Sequence, residues 1–372
     1  MVKYKYMFID AQIILTTGVY AIMHNTPDGK IKQNDLLRMF ILCVFKVIRE
    51  CPCERPFLVW DSSPYHKNTI LKQLLGKDDY KGDRGYKNES DIESLNNQIK
   101  DTKLKIEQLK SEDPVINDSQ ISELEEQIVK WNKQINDIDV QICNFKTRSA
   151  TKYFIIEELQ KFGITSIIKK GYECDDICTL LADWCNEHKV RAVLVSKDSD
   201  YDFMLNPYVD KYNNLCKTKP TAQNPNPKLT TYNDVSKTWW WIARDFPDKK
   251  LYQVKALMDS AWGSHNALHK TVKSEWCKQG VFLIDALNHG EDAFDDYNLF
   301  KVQLETFDFT KYPDYDFIKE CLPWYSKKGN LGTLDEFTKF CKDNNVGINP
   351  WKYKEIIAIL NYELYTQQGL NE

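Results

Sequence analysis

The chain has 372 residues, which is enough for a full hydrophobic core and about two domains. Its 54 acidic residues outnumber the 50 lysines and arginines, so the net charge of −4 excludes a globally basic nucleic-acid-binding protein; contact with a polyanion would depend on local basic patches. The 11 cysteines include no zinc-type Cys-x-x-Cys pair, and the sequence has no secretory leader and no long apolar run. We therefore expect a reduced, cytoplasmic, soluble protein with no membrane contact.

The first part of the chain alternates short apolar runs with helical patterns. Residues 4–9 are predicted to form a central strand, residues 34–50 a covering helix, and residues 57–60 a second strand. A further helix is predicted over residues 67–75, and it leads to the basic segment Tyr-Lys-Gly-Asp-Arg at residues 80–84. This order predicts two strands of one sheet with helices packed against it.

Residues 91–145 differ from the rest because their apolar side chains recur at alternating spacings of three and four residues. Two such runs are separated by Ser-Glu-Asp-Pro at residues 111–114, which supplies a loop. A recurrence of about 3.5 residues buries one seam between two helices, so the segment predicts an antiparallel coiled-coil hairpin with solvated outer faces. The apolar positions are Ile92, Leu95, Ile99, Thr102, Ile106, Leu109, Ile121, Leu124, Ile128, Trp131, Ile135, Ile138 and Ile142.

The sheet pattern resumes after the hairpin. Residues 153–162 and 175–188 are predicted helices, and residues 164–168 and 190–196 are predicted strands. A loop rich in proline and asparagine at residues 218–228 marks a boundary, and the remainder is aromatic-rich and mainly helical. We therefore predict an α/β fold with a mostly parallel central sheet flanked by helices, the inserted hairpin and a C-terminal helical domain. The predicted domains are residues 1–88 with 147–205, residues 89–146, and residues 206–372.

Carboxylates stand where the predicted strands end and where the following helix begins. Parallel strands gather their C-terminal ends along one edge of a sheet, so we expect these acids to meet in one crevice. Asp198 and Asp200 are two apart in a segment predicted to be extended, so both should point the same way. Taken singly, each acid also fits a turn or a helix cap, as Asp176 does. The residues are Asp10, Asp61, Glu173, Asp175, Asp176, Asp198 and Asp200.

Such a cluster needs neutralising. Two unit charges 4 Å apart repel by roughly 4 kcal/mol at an effective dielectric near 20. Either protons or divalent cations must reduce that repulsion, and hard oxygen ligands favour Mg²⁺ or Mn²⁺. Paired cations held by carboxylates hydrolyse phosphodiesters with an activated water, so the sequence predicts a metal-dependent phosphodiester hydrolase.

Five segments resemble the 5′-nuclease superfamily of flap endonucleases and 5′–3′ exonucleases, which has a PIN-like core. Among its members the chain is most similar to the RNase H enzymes of T-even phages. Order and spacing match when the hairpin is treated as an insertion, and the resemblance covers residues 4–205 well and the rest loosely. The segments are Phe8-Ile9-Asp10, Val59-Trp60-Asp61, Tyr80-Lys81-Gly82-Asp83-Arg84, Tyr172-Glu173-Cys174-Asp175-Asp176 and Ser196-Lys197-Asp198-Ser199-Asp200.

The resemblance implies roles for individual residues. The first metal would be held by Asp10, Asp61 and Asp198 together with Asp175 or Asp176; the second metal or its waters would be held by Glu173 and Asp200. Lys81 and Arg84 would contact the scissile phosphate, where their charges suit developing negative charge, although a solvated basic turn remains an alternative. Tyr65 or Tyr80 would stack on the terminal base, or act only in packing. Lys67 and Lys270 are further candidate contacts to nucleic acid.

Two departures from the family pattern stand in the C-terminal part. The acid-rich stretch that completes the second metal site is represented by residues 256–266, where Asp259 is out of register and His265 stands in place of an acid. A glycine-rich helix-hairpin-helix is not legible at residues 270–280, so duplex binding would use scattered lysines, unless these are only a solvated surface. Those lysines are Lys249, Lys250, Lys255, Lys270 and Lys273.

We therefore predict a Mg²⁺- or Mn²⁺-dependent 5′ nuclease, with two ions, acting on DNA 5′ ends, flaps or RNA–DNA hybrids in replication. If the chain is phage-encoded, it would work in the bacterial host cytoplasm. Two alternatives stay open, a PIN-like ribonuclease and a catalytically degenerate structural relative that uses the coiled coil for assembly. The hairpin stands where related enzymes have an arch over the active site; its acids disfavour wrapping DNA and favour docking of a replication protein or a spacer role.

Overall fold

The computed structural model describes residues 4–62, Lys67, Thr69, 88–112, 118–221, 226–263, 268–276, 283–307, 332–358 and Leu360. Six strands in this part of the chain form one sheet in the order β3-β2-β1-β4-β5-β6. Neighbouring strands are parallel except for β6, which pairs antiparallel with β5. The strands are β1 Tyr4–Asp10, β2 Cys53–Val59, β3 Thr165–Ile167, β4 Ala192–Val195, β5 Val209–Tyr212 and β6 Leu229–Thr230.

Helices make up most of the remaining described structure. They are α1 Ala11–Met23, α2 Gln33–Glu50, α3 Glu89–Glu112, α4 Asp118–Glu158, α5 Cys174–Glu187, α6 Tyr232–Thr238, α7 Trp240–Asp245, α8 Leu251–Trp262, α9 Leu283–His289, α10 Tyr297–Phe307 and α11 Leu334–Asp343. A 3₁₀ helix, Ser199–Met204, follows β4 and bears on the site described below. Within the described residues, no helix combines the length and the apolar content needed to cross a membrane.

One compact unit consists of Met1–Ile14, Ile41–Gly82 and Ile156–Glu372, and it holds the sheet. Residues 6–9 of β1, 57–59 of β2 and 192–195 of β4 are apolar and buried on both faces, as parallel strands covered by helices require. Phe8 and Phe57 stack with ring centroids 5.7 Å apart, and both lie in a core cluster with Ile177 of α5. This packing fixes the ends of β1 and β2 relative to the start of α5.

A second compact unit consists of Leu15–Phe40 and Asp83–Ile155, and it contains the predicted hairpin. Lys110 Nζ lies 3.1 Å from Glu125 Oε1, and Lys146 Nζ lies 2.9 Å from Glu89 Oε1. These two pairs join opposite ends of α3 and α4, so the helices run antiparallel. Ile99, Ile106, Ile121 and Ile138 of the predicted seam are buried. A supercoil between the two helices stays a prediction.

The predicted α/β class with a mostly parallel sheet is confirmed, and the main strands and helices fall close to their predicted positions. Helix α4 continues without a break to Glu158, through the predicted boundary at residue 146 and into the segment predicted as a separate helix. The division into domains stays a prediction. Helix α1 and strands β5 and β6 were not predicted. Of the helix predicted at residues 67–75, only Lys67 and Thr69 are described, and both are helical.

Candidate metal centre

Asp10 is the last residue of β1 and its side chain is buried at the edge of the sheet, with 4% exposed. Its Oδ1 accepts a hydrogen bond of 3.0 Å from the Ile13 N–H in the first turn of α1. Its Oδ2 accepts one of 3.2 Å from Ser196 Oγ, directly after β4. Burial raises the pKa of Asp10 to about 6; Asp61 adds to the rise, and the Ile13 amide opposes it. Asp10 is therefore a carboxylate that lacks a cation partner among the described contacts.

Asp61 ties the end of β2 to the start of α5. Its Oδ1 accepts a hydrogen bond of 2.9 Å from the Cys174 N–H, the first residue of that helix. Asp10 is paired in register with Val59, two residues before Asp61, so both acids lie at the same end of adjacent parallel strands. The convergence expected from the sequence is thus present for these two residues.

Three acids at the N-terminus of α5 form a compact cluster. Glu173 is the N-cap residue, and its N–H donates to Asp176 Oδ2 at 3.1 Å, an arrangement that begins the helix. One carboxylate oxygen from each of Glu173, Asp175 and Asp176 lies within 4.8 Å of the others. Such spacing is compatible with shared coordination of one cation.

Lys67 neutralises part of this cluster. Its Nζ lies 2.6 Å from Glu173 Oε2 and 3.2 Å from Asp176 Oδ1, and its side chain is 1% exposed. Burial still raises the pKa of Asp175 to about 8, against the opposing effect of Lys67, and burial also raises the pKa of Asp176. In this structure the ammonium of Lys67 faces carboxylates, and its contact with nucleic acid stays a prediction.

Asp198 and Asp200 do not lie in an extended segment, which corrects that part of the prediction. Asp198 is the N-cap of the 3₁₀ helix, and its Oδ1 accepts a hydrogen bond of 3.1 Å from the Asp200 N–H. The Asp198 N–H donates to Ser196 Oγ at 3.1 Å, and the same hydroxyl donates to Asp10. Ser196 therefore holds the Asp198 segment beside Asp10, across the point where the sheet order reverses between β1 and β4.

Asp200 and Asp259 meet at a lysine. Lys255 Nζ lies 2.5 Å from Asp259 Oδ2 and 3.3 Å from Asp200 Oδ1. Burial opposes the charge on Lys255, but Asp259 and Asp200 outweigh it and raise its pKa. Burial also raises the pKa of Asp259, although Lys255 opposes that rise. The two acids predicted to complete a second metal site are thus brought together, around an ammonium group.

The remaining predicted residues have separate outcomes. Tyr65, Tyr80, Lys81 and Arg84 lie outside the described residues, so their roles stay predictions. Lys270 is exposed and donates from Nζ to Ser274 Oγ at 3.0 Å, so its role is untested. Lys250 and Lys273 also make internal contacts: Lys250 Nζ is 2.6 Å from Asp183 Oδ2, and Lys273 Nζ donates to the Asp292 carbonyl at 2.6 Å.

Sequence reasoning missed Ser196 and Lys255 as parts of the site. Ser196 is the last residue of a predicted strand and stands two residues before a predicted ligand, a position that signals a hydroxyl at the crevice. Lys255 precedes Asp259 by four residues in a helical pattern, the spacing of an ion pair on one helix face. Both signals are present in the sequence, but neither identifies the distant partner, which is Asp10 for Ser196 and Asp200 for Lys255.

The donor set fits a divalent cation in one half of the site. Asp10, Asp61 and Asp175 offer hard carboxylate oxygens, and the raised pKa values of Asp10 and Asp175 indicate negative charge that the protein does not fully compensate. The Asp200–Asp259 half does not fit in the same way because Lys255 already contacts both acids.

No protein-family model and no curated protein matches the sequence. Solved structures with a similar fold include proteins of bacteriophage T5. A T5 protein co-crystallised with metal ions is 11% identical, with a TM-score of 0.42 over 87% of this chain and 100% of that chain. A T5 flap endonuclease in complex with DNA and metal ions is 13% identical, with a TM-score of 0.44 over 86% of this chain and 98% of that chain. A T5 5′-exonuclease with bound zinc is 13% identical, with a TM-score of 0.42 over 87% of this chain and 100% of that chain.

These neighbours are of the enzyme class that the sequence resemblance predicted. At TM-scores this low the likeness carries no argument on function, which is inferred below from the side chains of this chain. Similarity to the RNase H enzymes of T-even phages stays a prediction.

Proposed function

We propose that this chain is a divalent-metal-dependent phosphodiester hydrolase, a 5′ nuclease acting at the 5′ ends or flaps of nucleic acid. The observation that carries the proposal is the meeting of Asp10, Asp61 and Asp175 at the C-terminal edge of a parallel sheet, with the pKa values of two of them raised by burial. An ionised acid that is buried costs stability unless a positive charge compensates it, so the burial that raises the pKa values of Asp10 and Asp175 fits a site that binds a cation.

Within this proposal Asp10, Asp61 and Asp175 would hold the ion, with Asp198 beside them. When bound, a divalent ion lowers the pKa of a coordinated water and stabilises negative charge on a phosphate. The protein supplies position: the Ile13 amide and Ser196 hydroxyl fix the two oxygens of Asp10, and the Cys174 amide fixes Asp61. The two amides belong to the backbone of packed helices and the hydroxyl belongs to the residue that follows β4, so the ligands are oriented before the ion arrives.

Recognition of the substrate rests on residues that the sequence resemblance supplies. Lys81 and Arg84 would contact the scissile phosphate, and Tyr65 or Tyr80 would stack on a terminal base. The overall charge of −4 supports a local rather than a global contact with the polyanion. Mg²⁺ or Mn²⁺ is the proposed ion, and DNA flaps, DNA 5′ ends and RNA–DNA hybrids encountered in replication are the proposed substrates.

The test is cleavage of three end-labelled substrates of matched sequence: a 5′-flap DNA, an RNA–DNA hybrid and a single-stranded RNA. We expect Mn²⁺-dependent cleavage near the 5′ end or the flap junction, lost in Asp10→Asn and kept in Asp343→Asn. Asp343 is an exposed acid at the end of α11, so it controls for removal of one negative charge. Preferred cleavage of the RNA would favour the ribonuclease alternative.

A second candidate is a degenerate structural relative without catalysis. The lysines in the acid clusters favour it, because Lys67 contacts Glu173 and Asp176, and Lys255 contacts Asp200 and Asp259. An internal ammonium on each cluster would let the fold persist with no metal. Absence of both cleavage and Mn²⁺ binding in the purified wild type would decide for this candidate.

A further inference from the structure

We propose that the ammonium group of Lys255 is the resident cation of the Asp200–Asp259 pair, so that the wild-type protein binds no divalent ion there. This inference goes further than the proposed function, on whose metal-site interpretation it rests, because it limits the ions to the half of the site formed by Asp10, Asp61 and the acids of α5. It replaces the two-ion expectation drawn from the sequence.

The ammonium group of Lys255 contacts both acids. Lys255 Nζ lies 2.5 Å from Asp259 Oδ2 and 3.3 Å from Asp200 Oδ1, so one positive charge contacts a carboxylate of each predicted ligand. A divalent ion held by both acids would take oxygens that this ammonium now contacts. Lysine and ion therefore compete for the same charge, and the tethered lysine is present at an effective concentration that a free ion must overcome.

The side chain of Lys255 is held in place by its surroundings. Its side chain is 21% exposed, whereas that of Asp200 is 56% exposed. Its Nζ lies 5.7 Å from the centroid of the Phe203 ring, in the same 3₁₀ helix that carries Asp200. The ammonium of Lys255 is thus held between Asp259 of its own helix and Asp200 and Phe203 of that 3₁₀ helix, which restricts its movement away from the pair.

Stabilisation of α8 does not explain why Lys255 and Asp259 are paired. Asp259 lies in the last turn of α8, where the helix dipole disfavours an acid. A lysine four residues before an acid is also the weaker order for an ion pair on a helix. Lys255 also reaches Asp200 outside α8, so that the two acids share one cation, which an i,i+4 pair alone would not require.

The experiment counts bound Mn²⁺ in the full chain, by the loss of the free-ion EPR signal, in wild type, Lys255→Met, Lys255→Arg and Lys255→Met/Asp259→Asn. We expect one class of Mn²⁺ site in wild type and a second class in Lys255→Met. The affinity of the Asp200–Asp259 pair for Mn²⁺ should be about tenfold or more higher in Lys255→Met than in wild type. The second site should be absent from Lys255→Arg, which keeps the charge, and from the double variant. Lys237→Met, an exposed lysine on α6, controls for the lost charge.

Each outcome separates the inference from the proposed function. Two Mn²⁺ in wild type, one of them lost in Asp259→Asn, would overturn the inference and leave the nuclease proposal standing. No gain in Lys255→Met, with the melting temperature and far-UV circular dichroism of the folded chain preserved, would also overturn it. No Mn²⁺ in wild type but one in Lys255→Met would support the inference while counting against the proposed function.

Discussion

Asp10 shows how one residue can be costly to the fold and useful to the site. Its side chain is buried beside Asp61, and burial raises its pKa to about 6 although the Ile13 amide and the hydroxyls of Tyr201 and Ser196 oppose that rise. An acid whose pKa is raised in the folded state lowers the stability of that state wherever the acid is ionised. The side chain that makes cation binding favourable therefore destabilises the metal-free protein.

We expect Asp10→Asn to stabilise the metal-free protein at about pH 8 by on the order of 2 kcal/mol. The amide removes the buried charge, its oxygen still accepts from the Ile13 N–H, and the Ser196 hydroxyl can rotate to accept from the new NH₂. Urea unfolding with EDTA measures the gain. The same variant should lose the rise in melting temperature that Mn²⁺ gives the wild type. A less stable variant that retains this Mn²⁺ response would contradict the assignment of Asp10.

The pH dependence of the metal-free protein follows from the same carboxylates. Folding raises the pKa of Asp10 from 3.8 to about 6 and that of Asp175 from 3.8 to about 8. Between these values the folded chain binds protons that the unfolded chain has released, so the free energy of unfolding falls as pH rises. We expect the urea midpoint of the wild type in EDTA to decrease from about pH 5 to about pH 8. The decrease should be shallower in the double variant Asp10→Asn/Asp175→Asn. An increase over this interval in the wild type would show that other groups dominate.

At the scale of elements, the strands that carry the site were predictable because they are buried on both faces. Residues 6–9 of β1, 57–59 of β2 and 192–195 of β4 are continuous apolar runs, a pattern that can be recognised in the sequence. Strand β5 was missed because it carries two buried charged residues. Asp210 accepts from Tyr4 at 2.7 Å and pairs with Arg191 at 2.9 Å, and Lys211 pairs with Asp202. These partners come from other segments, so the sequence of the strand alone resembles a polar loop.

Helix α1 was missed for a different reason. Its sequence, Ala-Gln-Ile-Ile-Leu-Thr-Thr-Gly-Val-Tyr-Ala-Ile-Met, is apolar around most of its circumference and contains β-branched residues and a glycine. Such a segment gives no amphipathic signal. The Ile13 amide in its first turn nevertheless supplies a hydrogen bond to Asp10, so the missed helix belongs to the predicted site.

The end of α8 offers a test of an element that positions a site residue. Gly263 follows the helix with φ of 80°, and an added Cβ would lie 2.8 Å from the Leu268 carbonyl oxygen and 2.9 Å from the Lys270 nitrogen. We expect Gly263→Ala to lower the free energy of unfolding by roughly 2–3 kcal/mol, measured with urea. Gly290→Ala is the matched control, since Gly290 has φ of 64° but no atom within 4 Å of the added Cβ. Equal losses in both variants would mean that the close backbone contact at Gly263 is without effect.

At the scale of the whole molecule, the acids were easier to predict than their cations. A carboxylate after an apolar run indicates where it will lie, because parallel strands end together. Lys67 has no such marker, because it acquires its role only from acids brought to it by the fold, with 106 residues between it and Glu173. Lys255 is marked in the sequence by its spacing to Asp259, but its second acid, Asp200, is also supplied by the fold. The sequence therefore predicted the carboxylates of the site but not the lysines that neutralise part of their charge.

The described candidate ligands all belong to the compact unit that holds the sheet, while α3 and most of α4 belong to the other unit. We therefore expect Mn²⁺ to slow amide hydrogen exchange selectively, at residues 8–13, 172–178 and 196–201, and to leave residues 92–110 and 121–145 unchanged. A ligand that binds only the native site protects the amides whose opening disrupts that site, by about tenfold at ten times the dissociation constant. The comparison is wild type with and without Mn²⁺, with Asp10→Asn as the control that should show no added protection. Equal protection in α3 and α4 would mean that ions bind in these helices or that their opening is coupled to metal binding. Either result would contradict a metal site confined to residues at the edge of the sheet.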